Sequence, residues 1–159
     1  MKIGITGHQH FSDAAATEWV HASIETQLRD RRPLIGISCL AVGADQVFAE
    51  CVLALGGTLE VILPFEGYEK TLEVKERGQF ATLLGAATRV VVLGGQRDNE
   101  EAYFAAGKKV VEESELIVAV WNHLPAEGKG GTADVVAYAA SLRRPIICID
   151  PVARTITEV

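Results

Sequence analysis

The sequence predicts an α/β fold: a single Rossmann-like three-layer sandwich with a mostly parallel central sheet, spanning residues 1–159 as one domain. Three observations carry this. Short β-branched runs alternate with longer helical patterns along the whole chain, the pattern of repeated right-handed strand–helix crossovers. The runs "VILPF", "LIVAVW" and "IICI" are apolar throughout rather than alternating, as parallel strands covered on both faces must be. No internal repeat, low-complexity segment or linker divides the 159 residues, a length that suits one domain with a substantial core.

In chain order, a strand is predicted over residues 2–6 and a helix over 13–29. In that helix Ala16, Val20, Ile24 and Leu28 form one apolar stripe at four-residue spacing. Strands follow over 34–38, 59–63, 89–93, 116–121 and 145–149. Helices fill the intervals over 44–55, 68–85, 99–113 and 133–142, the last presenting Val135, Ala139 and Leu142 on one face. In open sheets of this kind, ligands gather beyond the carboxyl ends of the strands. Those ends carry "TGHQHFS", "SCLAVGAD", "PFEGY" and "NHLPAEGKGGT", small and polar residues crowded on one rim.

Composition narrows the function classes. The net charge of −6 argues against nucleic acid as the main partner. The pairs Arg31 and Arg32, Lys108 and Lys109, and Arg143 and Arg144 are expected as solvated cations near helix ends. The apolar run 116–121 is too short to cross a bilayer, and Gly4, Gly7 and His8 interrupt the N-terminus before a signal sequence forms. The expectation is a cytoplasmic protein without membrane contact. Cys39, Cys51 and Cys148 have no C-x-x-C spacing; Cys51 and Cys148 are expected in the core, and no metal site is predicted.

Neither G-x-G-x-x-G nor G-x-x-x-x-G-K-[ST] occurs, so no dehydrogenase-type or P-loop cofactor is predicted. "GKGGT" ahead of the last helix is the stronger signal. Gly130 and Gly131 would turn backbone amides toward an anion, and Thr132 would cap the helix or donate to the same oxygen. A plain strand-to-helix turn explains the same residues. "SCLAVGAD" repeats the logic: Ser38 ends a strand, Gly43 and Ala44 allow close approach, and Asp45 enters the first helical turn. There it serves either as a favourable charge at the helix N-terminus or as a contact to a ribose hydroxyl. His8, His10 and His123 lie at the same rim. Trp121 and Phe65, with Tyr68 and Tyr103 behind them, are candidates to stack on a base or to be core.

The ordered set "GITGHQ", "SCLAVGADQVFAECVLALGGTLEVILPF", "GKKVVEESELIVAVWN" and "GKGGTADVVAYAASLRRPIICI" resembles the SLOG superfamily of Rossmann-like domains, nearest its small YpsA-like nucleotide-binding branch. The group includes the LOG-type lysine-decarboxylase-like proteins and the DNA-processing protein DprA. The resemblance implies a nucleotide-derived ligand, ADP-ribose- or NAD-like or a nucleoside phosphate. It would be held by Gly7, His8 and Gln9, by Ser38, Gly43, Ala44 and Asp45, and by Gly130, Gly131 and Thr132. It also implies self-association, as a homodimer.

One departure separates this chain from the LOG enzymes. Their PGGxGTxxE motif ends in a catalytic glutamate, and that position is Val135 here. Asp134 lies one residue early, about 100° away around a helix. Their "MHxRK" segment has no counterpart over 97–109. Hydrolysis of an N-glycosidic bond needs a carboxylate or its equivalent. The expected function is therefore a binding module or sensor. The alternative is a LOG-like nucleoside-monophosphate N-glycosidase using Asp134, Glu127, Asp45 or a loop histidine. DNA binding in the manner of DprA fits the acidic balance poorly.

Overall fold

Two β-branched stretches far apart in sequence meet at the centre of the molecule. In the computed structural model, which describes residues 1–125 and 130–159, strand β1 (Lys2–Gly7) lies between β2 (Ile35–Ser38) and β5 (Leu116–Val120). The chain runs outward from β1 through β2, β3 (Thr58–Leu63) and β4 (Arg89–Val92). It then returns to the other side of β1 for β5 and β6 (Ile146–Asp150), giving the order β4-β3-β2-β1-β5-β6-β7. These pairings are parallel, and only the last strand β7 (Thr155–Glu158) is antiparallel, against β6. The reversal of direction between β1 and β5, in register from Ile3 opposite Leu116 to Gly7 opposite Val120, creates the crevice where such sheets bind ligands.

Both faces are covered, which is why the central strands read as continuous apolar runs. On one face α1 (Ala14–Leu28) and α2 (Ala44–Ala54) bury Val20, Ile24, Leu28, Phe48 and Val52 against Ile3, Ile5, Val118 and Ile149. On the other, α4 (Glu100–Glu113) and α5 (Thr132–Ser141) bury Ala106, Val110, Val111, Val135 and Ala139 against Ile37, Ile62, Ile117 and Ile146. Cys51 and Cys148 are buried, as the sequence leads one to expect. The start of α1 is held by Asp13, whose carboxylate accepts the Ala16 N–H at 2.8 Å, and that of α4 by Asn99, which accepts from Glu101 N–H at 2.8 Å.

The structure differs from the predicted elements in two places. The helix expected over 68–85 is three pieces: 3-10 turns over Tyr68–Thr71 and Val74–Glu76, then α3 (Arg77–Gly85). Leu72 and Glu73 are extended there, and a reciprocal box between Glu73 and Glu76 starts the chain afresh. The break lets Tyr68 and Leu72 turn into a cluster with Phe65, Phe80 and Leu83. Strand β7 has no burial pattern to betray it, since all four residues are exposed. It is set by the Asp150 carboxylate, which accepts the N–H groups of Val152 (2.9 Å) and Ala153 (3.0 Å) and turns the chain back. Among the described residues, no helix is long and apolar enough to cross a membrane.

Candidate functional site

Beyond the carboxyl ends of β1 and β5 opens a cleft of about 730 Å³, within the range of small-molecule sites. Gly7, His8, Gln9, Asp45, Gly130, Gly131 and Thr132 line it, together with His10, Cys39, Tyr68, Glu100, Tyr103, Trp121 and Val135. Three of the sequence-derived candidates stand behind the wall instead. Ser38 is fully buried, its hydroxyl donating to the Asp45 carbonyl at 3.1 Å and accepting the Leu40 N–H at 3.0 Å. Gly43, at φ +91°, presses so close to the first loop that a Cβ would sit 2.5 Å from the His8 and Gln9 carbonyl oxygens. The Ala44 N–H donates to the His8 carbonyl at 3.0 Å.

The two strand–turn–helix junctions that look alike in sequence therefore differ. At α2 the first loop's own carbonyl occupies the helix N-terminus. At α5 the N-cap is Gly131, with no side-chain cap, and Gly131, Thr132 and Ala133 border the cleft. The N–H groups of a first helical turn have no partner within the helix, so this end presents donors and positive potential to the cleft. Thr132 is the first helical residue rather than the cap. Asp134 secures the turn: its Oδ2 accepts the Gly130 N–H at 2.9 Å and holds Gly130 at φ +88°. Val135 is buried on the cleft floor, packed where a Cβ on Gly107 would come within 2.7 Å of it. Glu127 lies outside the described residues.

His8 braces the cleft across the sheet. Its backbone N–H donates to the Val120 carbonyl at 3.2 Å, and its Nε2 accepts the Asn122 N–H at 3.0 Å. Burial lowers the imidazole pKa, partly offset by the hydrogen bond at Asn122 and the charge of Asp150. The ring is thus neutral, with its proton on Nδ1. His10 also borders the cleft. His123 turns away, its ring 4.7 Å from that of Trp121 and its Nε2 3.5 Å from the Cys148 Sγ and 3.9 Å from Asp150 Oδ2.

Asp45 is the most perturbed acid here. Burial raises its carboxyl to about 7, opposed only in part by the Ala41 and Cys39 backbone amides. Burial, and then the Asp45 charge, also push the Cys39 thiol up, leaving it unreactive. Phe65 is core, edge-on to Tyr68 and Tyr103, whereas Trp121 reaches the cleft and donates its indole N–H to the Leu124 carbonyl at 2.9 Å. Glu100, Pro151 and Val152 complete the wall without any sequence signal, because they arrive from the starts and ends of neighbouring elements. Among the described residues, no cluster of His, Cys, Asp and Glu is arranged to hold a metal ion.

Solved structures share this architecture. DNA processing protein A (DprA) from Streptococcus pneumoniae is similar at a TM-score of 0.66 and 15% identity over 92% of this chain, which spans only 49% of that protein. DNA processing protein A from Helicobacter pylori, described for its single-stranded DNA binding mode, gives a TM-score of 0.69 at 12% identity, covering 96% of this chain and 70% of that one. The molybdenum cofactor binding protein from Rippkaea orientalis gives 0.61 at 17% identity, covering 94% and 76%. At such identities the likeness shows the fold alone, a Rossmann-like arrangement. No protein-family model matches the chain, and no curated protein matches its sequence.

Proposed function

We propose that this chain binds a nucleotide or nucleotide-derived small molecule, ADP-ribose- or NAD-like or a nucleoside phosphate, as a sensor or binding module of the YpsA-like kind. The observation that carries the reading is the contrast between the two helix N-termini. That of α2 is filled by the His8 carbonyl, while that of α5 borders the cleft behind a glycine turn fastened by Asp134. A phosphate would sit on the first turn of α5 and accept from the Thr132 hydroxyl, which has no hydrogen bond to any described residue. The likeness to a molybdenum cofactor binding protein supports a small-molecule ligand for a chain of this fold. The DNA-binding neighbours do not carry over, because a chain of net charge −6 opposes a polyanion.

The floor of the cleft supports binding without turnover. Val135 offers no carboxylate, and the Asp134 carboxylate is engaged with the Gly130 amide. One observation favours the second reading, N-glycosidic hydrolysis: Asp45 borders the cleft and is raised to about 7, where a carboxyl can exchange a proton at neutral pH. The test is thermal shift and calorimetry against AMP, ADP, NAD, ADP-ribose and an oligothymidylate, with product analysis of each mixture. The expected outcome is a raised melting temperature with at least one nucleotide, ligand recovered unchanged, and no response to the oligothymidylate. Gly131→Val should weaken binding by tenfold or more, as a side chain there blocks approach to the backbone donors. Release of free base would establish hydrolysis instead, and Asp45→Asn should then abolish it. Absence of binding by every nucleotide would end the proposal. The YpsA-like reading also carries self-association, which sedimentation of the purified chain decides.

A further inference from the structure

Beside the cleft lies a second chamber of about 330 Å³ that the anion site does not use. It shares Gln9, His10, Tyr68 and Tyr103 with the cleft, so the two adjoin along one wall. Its chemistry is the opposite of the α5 turn. Glu73, Glu76 and Asp98 line it, and they can only accept hydrogen bonds when ionised. Glu73 and Asp98 have cationic neighbours, Lys75 at 3.4 Å and Arg97 at 3.8 Å, whereas Glu76 has no ion-pair partner among the described residues. Its Oε1 accepts the Glu73 N–H at 3.0 Å.

Tyr68 points to a ligand independently of these acids. Only 5% of it is exposed, and its hydroxyl makes no hydrogen bond with any described residue. It lines both cavities. Asp45 and Cys39 line the cleft beside it and Glu76 lines the chamber, with Tyr103 shared by both. The Tyr68 ring is buried while the hydroxyl opens on the two cavities, so it stands available to donate to or accept from whatever enters them.

The route between the sites is short. Gly130 packs on α4 near Glu100 and Phe104, and Tyr103, less than one turn along the same helix from Glu100, borders both cavities. Along the axis of α4 these residues are separated by about 5 Å of rise, so this helix links the glycine turn to the wall the two cavities share. We propose that the chamber at Tyr68 and Glu76 is a specificity site for an amino-substituted nitrogen heterocycle, selecting it over the oxo-substituted counterpart. The proposal presupposes the nucleotide reading above. An exocyclic amine donates to Glu76, and ring nitrogens accept from Tyr68. An oxo group in the same place sets its lone pairs against a carboxylate.

Calorimetry of the intact chain with AMP, IMP, CMP, UMP and ribose 5-phosphate tests this. AMP and CMP should bind about tenfold more tightly than IMP and UMP, the size of one misplaced hydrogen bond in a partly open site. Glu76→Gln keeps an oxygen for the Glu73 amide and adds a donor, so it should erase the preference or reverse it toward IMP and UMP. Tyr68→Phe should weaken all four nucleotides and leave ribose 5-phosphate unchanged. If ribose 5-phosphate binds but amino and oxo nucleotides are equal, or if Glu76→Gln leaves their ratio intact, the chamber has no such role. If neither ribose 5-phosphate nor any nucleotide binds, the nucleotide reading itself fails and this proposal falls with it.

Discussion

Gly130 shows how tightly one position can be specified. Its φ of +88° is unfavourable for any side chain, and a Cβ there would lie 2.9 Å from the Phe104 amide nitrogen and 3.1 Å from the Glu100 carbonyl oxygen. Gly130→Ala is expected to lower stability by about 2 kcal/mol, from left-handed backbone strain together with these contacts. The check is a urea titration showing a lower midpoint at unchanged slope. Asp45 makes a pH-dependent claim at the same scale. Its carboxyl is raised from 3.8 to about 7 in the folded state by burial. Below 3.8 it is protonated in both states and costs nothing. As pH rises from there toward 7, the unfolded chain ionises first and stability falls, and above about 7 the loss is complete. Asp45→Asn removes this slope. Its stability relative to the native chain should therefore grow between about pH 4 and pH 7, by up to roughly 4 kcal/mol. A constant difference across that range, in denaturation curves taken at several pH values, would exclude an elevated Asp45.

At the scale of elements, charge placement follows tertiary neighbours more than the local helix. Arg143 and Arg144 read as cations at the end of their own helix. In the structure Arg143 takes φ +57° just after α5, and Arg144 reaches across to α4. Its Nε donates to the Val111 carbonyl, which also accepts the Ser114 N–H, and an Nη donates to the Glu112 carbonyl at the end of α4, both at 3.3 Å. Arg144→Met should cost roughly 0.5–1 kcal/mol, and hydrogen exchange should rise in the last turn of α4 rather than in α5. Lys108 likewise lies over the rings of Phe104 (4.8 Å) and Tyr138 (5.9 Å), joining α4 to α5. The segment 68–85 has the same character. Its spacing suits one helix, yet extended backbone at Leu72 and Glu73 and the Glu73–Glu76 box break it so that Tyr68 can reach the cluster beside the cleft.

For the whole molecule, strand–helix alternation and uniformly apolar strands determined the architecture by themselves. A strand buried on both faces has no polar side to show, and that pattern survives in the chain without any structure. The same alternation located the rim, because strand ends face one way in a parallel sheet. Strand order was beyond the sequence: β1 and β5 are more than a hundred residues apart, and their pairing comes from packing that no local pattern encodes. So was the difference between the two glycine-bearing junctions, since "VGAD" and "GGTAD" carry similar local chemistry. Only the fold sends the His8 carbonyl to one helix N-terminus and leaves the other bordering the cleft. The side chamber, drawn from the four connections after β1, β2, β3 and β4 and from α4, belongs to the same class. Local sequence dictates which elements form through periodicity and caps, whereas a site assembled from distant loops exists only once long-range packing has brought them to one edge.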